Sequence, residues 1–186
     1  MNFKKSLPII VVALIAGYIV SLGCGSKSST SSGGSPASSS SPSTTIVANI
    51  GGTGMTFHGS LSTDCMIMLT PTPSLVITAC ASGSNESLGA CSGDYMQVMV
   101  ANVGGAAQTY ALGGGTTAVL YYPTNAANWI SSVLGSGSLK INSFSPQNGA
   151  TVSGSFSGKF SGIYDTKVTT VTAGQFSCSS LLVPQQ

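Results

Sequence analysis

Most of the chain from residue 46 onward consists of short runs in which apolar and polar residues alternate. The clearest run is 152–164, where even positions are Val, Gly, Phe or Tyr and odd positions are nearly all Ser or Lys. This period of two predicts a β-strand with one buried face and one wet face. Thirteen extended residues span about 43 Å. Such a strand either bends where glycines alternate with aromatics, or turns as a hairpin at Gly158-Lys159.

Seven further segments have the same short alternating character, with turn residues between them. They are 55–60, 65–70, 75–81, 95–101, 118–122, 138–144 and 168–178. Only residues 125–134, around Trp129, are compatible with a short helical turn. Eight or nine short strands with short connections predict an all-β domain over 46–186, either an antiparallel β-sandwich or a bent barrel.

The N-terminal segment has a different pattern. Lys4 and Lys5 precede an uncharged apolar stretch at 7–20, and small residues follow up to Cys24. A charged start, a short apolar segment and a small residue before the cut describe a secretory signal peptide. A membrane-spanning helix needs about 20 apolar residues, so we predict that residues 1–23 are cleaved rather than retained as an anchor.

The sequence Ser21-Leu22-Gly23-Cys24 resembles the lipobox of bacterial prelipoproteins, with Ser21 at a place where Leu is commoner. The resemblance implies lipidation of Cys24 and cleavage after Gly23. Acyl chains contribute about 0.8 kcal/mol per buried methylene, so several of them anchor a protein permanently. Because Gly25 follows instead of the Asp associated with inner-membrane retention, the resemblance points to the outer membrane in a bacterium with two membranes.

Residues 24–45 join this cysteine to the domain. Eleven of the 21 residues from Gly25 to Thr45 are serine, and most others are Thr, Gly or Pro. This composition cannot bury enough apolar surface to offset chain entropy. We predict a disordered tether.

Charge excludes one class of partner. Charged residues make up 5% of the chain, against about 25% in typical soluble domains, and arginine is absent. The domain has three lysines and four acidic residues, a net charge of 3 − 4 = −1. The lysines are scattered along the sequence, so we expect no binding of nucleic acid.

Four cysteines remain after Cys24, an even number in an oxidising compartment. We favour a Cys80–Cys91 disulfide with a Cys65–Cys178 disulfide. A rival pairing joins Cys65 to Cys80, because a four-residue loop at 71–74 would place them opposite each other. No CxxC spacing occurs and His58 is the only histidine, so we predict neither a metal site nor a cofactor.

The candidates for catalysis are few. Any Ser-His-Asp triad must use His58, with Asp64 or Asp165, and no G-x-S-x-G motif marks a nucleophile. Glu86 and Asp94 could act as paired carboxylates, or bind calcium with Asn85, but the D-x-[DN]-x-[DN]-G pattern is absent. Solvated side chains explain all of these residues better, and we assign no catalytic residue.

Two groups of side chains are candidates for binding. Tyr121, Tyr122 and Trp129 are the best candidates for an exposed recognition patch, for example one that stacks on sugar rings. Four methionines on two strands could line a ligand cavity, although core packing explains them better. They are Met66, Met68, Met96 and Met99.

The second half of the chain resembles a group of small bacterial lipoproteins of unknown function. The motifs that carry the resemblance are YAL at 110–112, AVLYY at 118–122, WIS at 129–131, GSGSLKI at 135–141, VSGSF at 152–156 and VTAGQF at 171–176. The similarity covers roughly 57–176. It implies an all-β fold and a surface location and supplies no catalytic residue, and the cysteines are not part of the pattern.

These observations predict a lipid-anchored, non-enzymatic surface protein whose domain binds an envelope protein or a polysaccharide. One alternative is a hydrolase of cell-wall or extracellular polymers, which needs His58 or the Glu86–Asp94 pair in a cleft. Another is a small-ligand carrier with a barrel cavity lined by the four methionines.

The lipobox interpretation is tested by replacing Cys24 with serine. We expect Cys24→Ser to abolish metabolic labelling with palmitate, because the thiol that receives the lipid is removed. Cys91→Ser serves as the control and keeps the label. Continued labelling of Cys24→Ser would contradict the interpretation.

Overall fold

Twelve β-strands contain most of the residues that the structure, a computed structural model, describes; these residues are 43–68, 72–81, 86–87, 90–104, 108–124 and 130–184. The strands are β1 (Thr44–Ile50), β2 (Thr53–Gly59), β3 (Cys65–Met68), β4 (Ser74–Ala81), β5 (Glu86–Ser87), β6 (Ala90–Cys91), β7 (Tyr95–Ala101), β8 (Thr109–Leu112), β9 (Thr117–Tyr122), β10 (Ile130–Ser143), β11 (Val152–Gly162) and β12 (Val168–Cys178). No helix among the described residues is long and apolar enough to cross a membrane.

Eight of the strands close into an antiparallel barrel. Each of β1, β2, β4, β7, β9, β10, β11 and β12 pairs with the next in this series, and β12 pairs back with β1. Two short strands extend it. β3 pairs with β4 beyond the end of β2, and β8 pairs with β10 beyond the start of β9. Closure leaves no free edge among the eight. The prediction of an all-β antiparallel domain is confirmed, and the domain is a barrel and not a sandwich.

Inward-facing side chains fill the barrel. On β7, Met96, Val98 and Val100 are fully buried while the residues between them are partly exposed, as the pleat of a strand requires. The largest fully buried side chains are Phe57, Phe160, Ile46, Ile67, Leu75, Ile77, Met96, Leu139, Ile141, Leu181, Val98 and Val100. An eight-stranded barrel is just wide enough to be filled in this way. Burial of each side chain stabilises the fold by roughly 1.5–3 kcal/mol.

Glycine and phenylalanine face each other twice between β11 and β12. Gly154 pairs with Phe176, and Phe156 pairs with Gly174. A Cβ on Gly154 would collide with the Phe176 ring and with the Lys140 carbonyl oxygen. The pairing shifts between Phe156 and Gly158, and the strand continues to Gly162. The bent strand predicted from the sequence is therefore correct and the hairpin at Gly158-Lys159 is wrong.

Several segments differ from the predictions. β1, β5, β6 and β8 are not among the predicted strands, and β1 begins at Thr44, two residues before the predicted domain boundary. β10 begins at Ile130, so 130–134 is strand and not a helical turn, while 125–129 lies outside the described residues. The alternation is lost there because Ser131 and Ser132 are both buried; the Ser132 hydroxyl accepts a hydrogen bond from the Val119 N–H (2.8 Å).

The C-terminal segment closes the end of the barrel at which β1 begins, which we call the near end. Ser179 N–H donates to the Ser43 carbonyl (2.9 Å), and Leu181 is fully buried. Leu182 then lies parallel to β3, donating to the Cys65 carbonyl (2.8 Å) and accepting from the Ile67 N–H (2.9 Å). β1 does not extend far enough toward the near end to pair with β3, and the C-terminal segment pairs with β3 in its place.

Two disulfides join these elements. Cys65 and Cys178, with Cα atoms 6.3 Å apart, lie in the core at the near end; Cys80 and Cys91, 5.6 Å apart, close the connection that contains β5 and β6. This is the favoured pairing. The rival is wrong because Cys65 lies opposite Ile77, three residues from Cys80. Each bridge stabilises the fold by about 2–4 kcal/mol, mainly by restricting the unfolded chain.

The close approach of β10, β11 and β12 generates a prediction about Gly154. We expect Gly154→Ala to lower the free energy of unfolding by about 1–3 kcal/mol, because the new methyl group meets backbone as well as a ring. Gly54→Ala is the matched control, since nothing lies within 4 Å of a Cβ built there, and it should change stability by less than about 0.5 kcal/mol. Urea unfolding measures both. Equal stability of the two variants would contradict the packing argument.

Candidate functional site

A hydrogen-bond network lies at the opposite end of the barrel, the far end. The Tyr121 hydroxyl donates to Asp94 Oδ2 (2.7 Å), and the Thr124 N–H (2.7 Å) and hydroxyl (2.9 Å) donate to Asp94 Oδ1. Asp94 immediately precedes β7, and Thr124 follows β9, the strand that pairs with β7. The carboxylate therefore ties two neighbouring strand ends together.

The pKa values of this network follow from its contacts. Partial burial alone would raise the pKa of Asp94, but the three hydrogen bonds from Thr124 and Tyr121 outweigh it, so the net pKa is below the ordinary 3.8. Desolvation, the hydrogen bond to Asp94 and its negative charge raise the pKa of Tyr121. Both Asp94 oxygens are thus occupied as acceptors and the phenol stays protonated, which indicates a structural role.

The two tyrosines of the predicted recognition patch point to opposite faces, as neighbours in a strand do. Tyr121 packs edge-on against buried Phe57, with ring centroids 5.9 Å apart. Tyr122 stacks on Tyr95 at 4.2 Å. Desolvation is the main cause of the raised pKa of Tyr122 and of Tyr95. Trp129 lies outside the described residues. Tyr121 and Tyr122 therefore lie on opposite faces of β9, and the recognition patch stays a prediction.

The candidate residues of a catalytic triad differ in burial and in hydrogen-bond partners. His58 is exposed on the outer face of β2, opposite Thr45 at the start of β1. Asp64 is buried and accepts the Leu61 N–H (2.8 Å). Asp165 lies in the β11–β12 turn, where it accepts the Lys167 N–H (2.9 Å). The β11–β12 turn lies near the end of β1 that is farther from His58, since the Gly51 N–H donates to the Thr170 carbonyl.

Of the predicted pair of carboxylates, Asp94 already belongs to the far-end hydrogen-bond network. Glu86 belongs to the small β5–β6 pair, and Asp94 is held by Tyr121 and Thr124. Asn85 lies outside the described residues, among which no three His, Cys, Asp or Glu side chains could hold a metal ion.

The four methionines are also separated. Met96 faces inward and is fully buried, whereas Met66 and Met99 alternate with inward-facing residues and Met68 is 36% exposed. They cannot line one cavity inside the barrel.

The outer surface of β10, β11 and β12 has a composition that the predictions missed. Its outward side chains are mainly hydroxyls and amides, and we call it the hydroxyl face; it consists of Ser136, Ser138, Ser153, Ser155, Ser157, Thr170, Thr172, Gln175 and Ser177. Two shallow depressions lie on it. One, of about 470 Å³, includes Ser153, Ser155 and Gln175; the other, of about 410 Å³, includes Ser157, Lys159 and Thr170.

The lysines of the domain and the exposed Tyr164 lie on these strands or in the turn between β11 and β12. Lys140 on β10, Lys159 on β11 and Lys167 just before β12 are exposed. Tyr164, expected to face inward, lies in the turn beyond β11 and is 72% exposed. Sequence already contained one signal of this face, the Ser and Lys at odd positions of 152–164, but not the register that brings three strands together.

Comparison of the chain with protein-family models, with curated proteins and with solved structures finds no match. The resemblance to small bacterial lipoproteins, including lipidation at Cys24, stays a prediction, and Cys24 lies outside the described residues.

The Asp94 network predicts a pH-dependent contribution to stability. At neutral pH we expect Asp94→Asn to lower the free energy of unfolding by about 1–2 kcal/mol, because charge-assisted hydrogen bonds are lost from a partly exposed site. Since the folded pKa is below the unfolded one, this contribution is present above the unfolded pKa and is lost as the pH falls from about 5 towards 2.

Urea unfolding at pH 7 and pH 3 measures the difference between wild type and Asp94→Asn. Asp165→Asn, which removes the charge but keeps an oxygen acceptor in an exposed turn, is the control and should cost less than about 0.5 kcal/mol at pH 7. A difference for Asp94→Asn that is as large at pH 3 as at pH 7 would show that the carboxylate charge is not its cause.

Proposed function

We propose that the protein is a lipid-anchored, non-enzymatic binding module of the bacterial cell envelope. The observation that carries this proposal is how the structure places the candidate catalytic side chains. Asp94 is fully engaged in tying strand ends, Asp64 is buried, and His58 stands on an open outer face. A hydrolase needs such groups to converge in a cleft.

The construction of the barrel fits a binding role. Its interior is filled by side chains and its near end is covered by the C-terminal segment, so recognition falls to the outer surface. Two disulfides and a closed sheet keep that surface fixed, which reduces the ordering cost of binding. The chain enters at Ser43, 43 − 24 = 19 residues after Cys24, so the attachment uses the near end.

Capture of envelope components tests the binding role. The full-length protein, immobilised through a C-terminal tag, is exposed to separate extracts of envelope proteins and envelope polysaccharides. We expect retention of a component above the level of beads that carry the same chain with its disulfides reduced and alkylated, because an exposed recognition surface requires the folded barrel.

The same capture separates binding from hydrolysis. A retained polymer should keep its chain length after hours of contact. Shortening of the polymer would favour the hydrolase, and failure to retain any component would remove the support for a binding module.

A further inference from the structure

We propose that the hydroxyl face binds a polyuronate, an anionic polysaccharide rich in hydroxyl groups with carboxylates as its charges. This inference rests on the proposed binding role and assigns its site and ligand class. Three independent features of the face carry it: its shape, its charge and an exposed ring at one end.

The shape of the face suits an extended polymer. The two depressions follow one another along β11, from Ser153 and Ser155 to Ser157 and Lys159. Six residues of strand span about 20 Å. Hydroxyls recur at every second residue, roughly 6.6 Å apart along a strand, with neighbouring strands about 4.8 Å away. Each hydroxyl both donates and accepts, so the array can match the alternating donors and acceptors of sugar hydroxyls.

The charge of the face is of one sign. The only charged residues of β10, β11 and β12 are Lys140 and Lys159, while Asp165 and Lys167 lie together in the turn between β11 and β12. Lys159 is opposite Ser136, and Lys140 lies four residues further along β10. Lys167 precedes Thr170, the residue opposite Lys159, by three positions. Lys140, which is opposite Ser155, and Lys159 therefore place positive charge beside the two depressions.

Hydroxyl content favours a uronate chain over a phosphate chain. Lys140 and Lys159 are separated by about 13 Å along the strands, and most of the other outward side chains of the face are hydroxyls. A 1,4-linked uronate residue offers a sugar ring and more free hydroxyls for each charge than a glycerol-phosphate repeat does. The uronate chain therefore matches a face with many hydroxyls and few lysines.

An exposed tyrosine stands at the far-end side of the face. Tyr164 follows β11 and is 72% exposed, and Val168 and Leu134 nearby are 57% and 48% exposed. Ser161 connects Val168 and Leu134, because it pairs with Val168 and its hydroxyl donates to the Leu134 carbonyl (3.1 Å). A tyrosine ring offers an apolar face to a sugar ring and a hydroxyl to its substituents. Tyr164 therefore replaces Tyr121 and Tyr122 as the stacking platform.

Binding of alginate, a polyuronate, to the full-length protein in detergent micelles tests the proposal. We expect the wild type to bind alginate and to bind neutral dextran at least tenfold more weakly. The double variant Lys140→Gln, Lys159→Gln should bind alginate about tenfold more weakly than wild type. The charge-conserving control Lys140→Arg, Lys159→Arg should bind within about threefold of wild type, and Tyr164→Ala should lose roughly three- to tenfold. Far-ultraviolet circular dichroism and the melting temperature check that the variants, all at exposed positions, remain folded.

Each other outcome overturns the inference. Equal binding by the glutamine and arginine variants would show that the lysine charges do not contribute, and equal affinity for dextran would show that carboxylates are not recognised. A preference for a glycerol-phosphate polymer over alginate would assign the face to a phosphate chain. If alginate does not bind but an envelope protein is still captured, this inference fails while the binding role remains.

Discussion

The barrel requires β10, β11 and β12 to approach one another so closely that side chains are excluded at the crossing points. A Cβ on Gly135 would collide with the Lys159 carbonyl, one on Gly137 with the Ser157 carbonyl, and one on Gly158 with the Ser136 carbonyl. At Gly154 and Gly174 the space is taken by phenylalanine rings from the neighbouring strand. Glycine makes this approach available, and the rings cover the backbone that glycine leaves bare.

Much of this arrangement could be predicted from the sequence, because burial and exposure alternate strictly in β11. The elements that escaped prediction have identifiable causes. Thr44 and Thr45 extend the composition of the preceding Ser-rich segment, although Thr44 is buried in β1. Ser131 and Ser132 break the alternation because their hydroxyls satisfy backbone groups inside the protein. β3 and β4 pair as Met68 with Ser74 and not as residue 70 with residue 75, so a simple hairpin count misplaced the partner of Cys65 by three residues.

The candidate site could be predicted much less well, because it is a property of register and not of any local motif. Lys140 and Lys159 are 19 residues apart in sequence and come onto the same face only when β10 pairs with β11. The predicted patch combined Tyr121 and Tyr122 because they are adjacent in sequence, yet adjacent side chains of a strand point to opposite faces. In a domain so poor in charge, the placement of two lysines on one face is a larger electrostatic feature than the net charge shows.

The position of β1 has a mechanical consequence. It is hydrogen-bonded along its length to β12 on one side and to β2 on the other. A pull on the chain at Ser43 acts along the strand axis, so the backbone bonds on both sides are loaded together in shear and do not open one after another. If lipid holds the N-terminus while the outer surface binds a polymer, as proposed, tension would act along the axis of β1. β1 is the first strand to receive this force, and it is hydrogen-bonded on both sides.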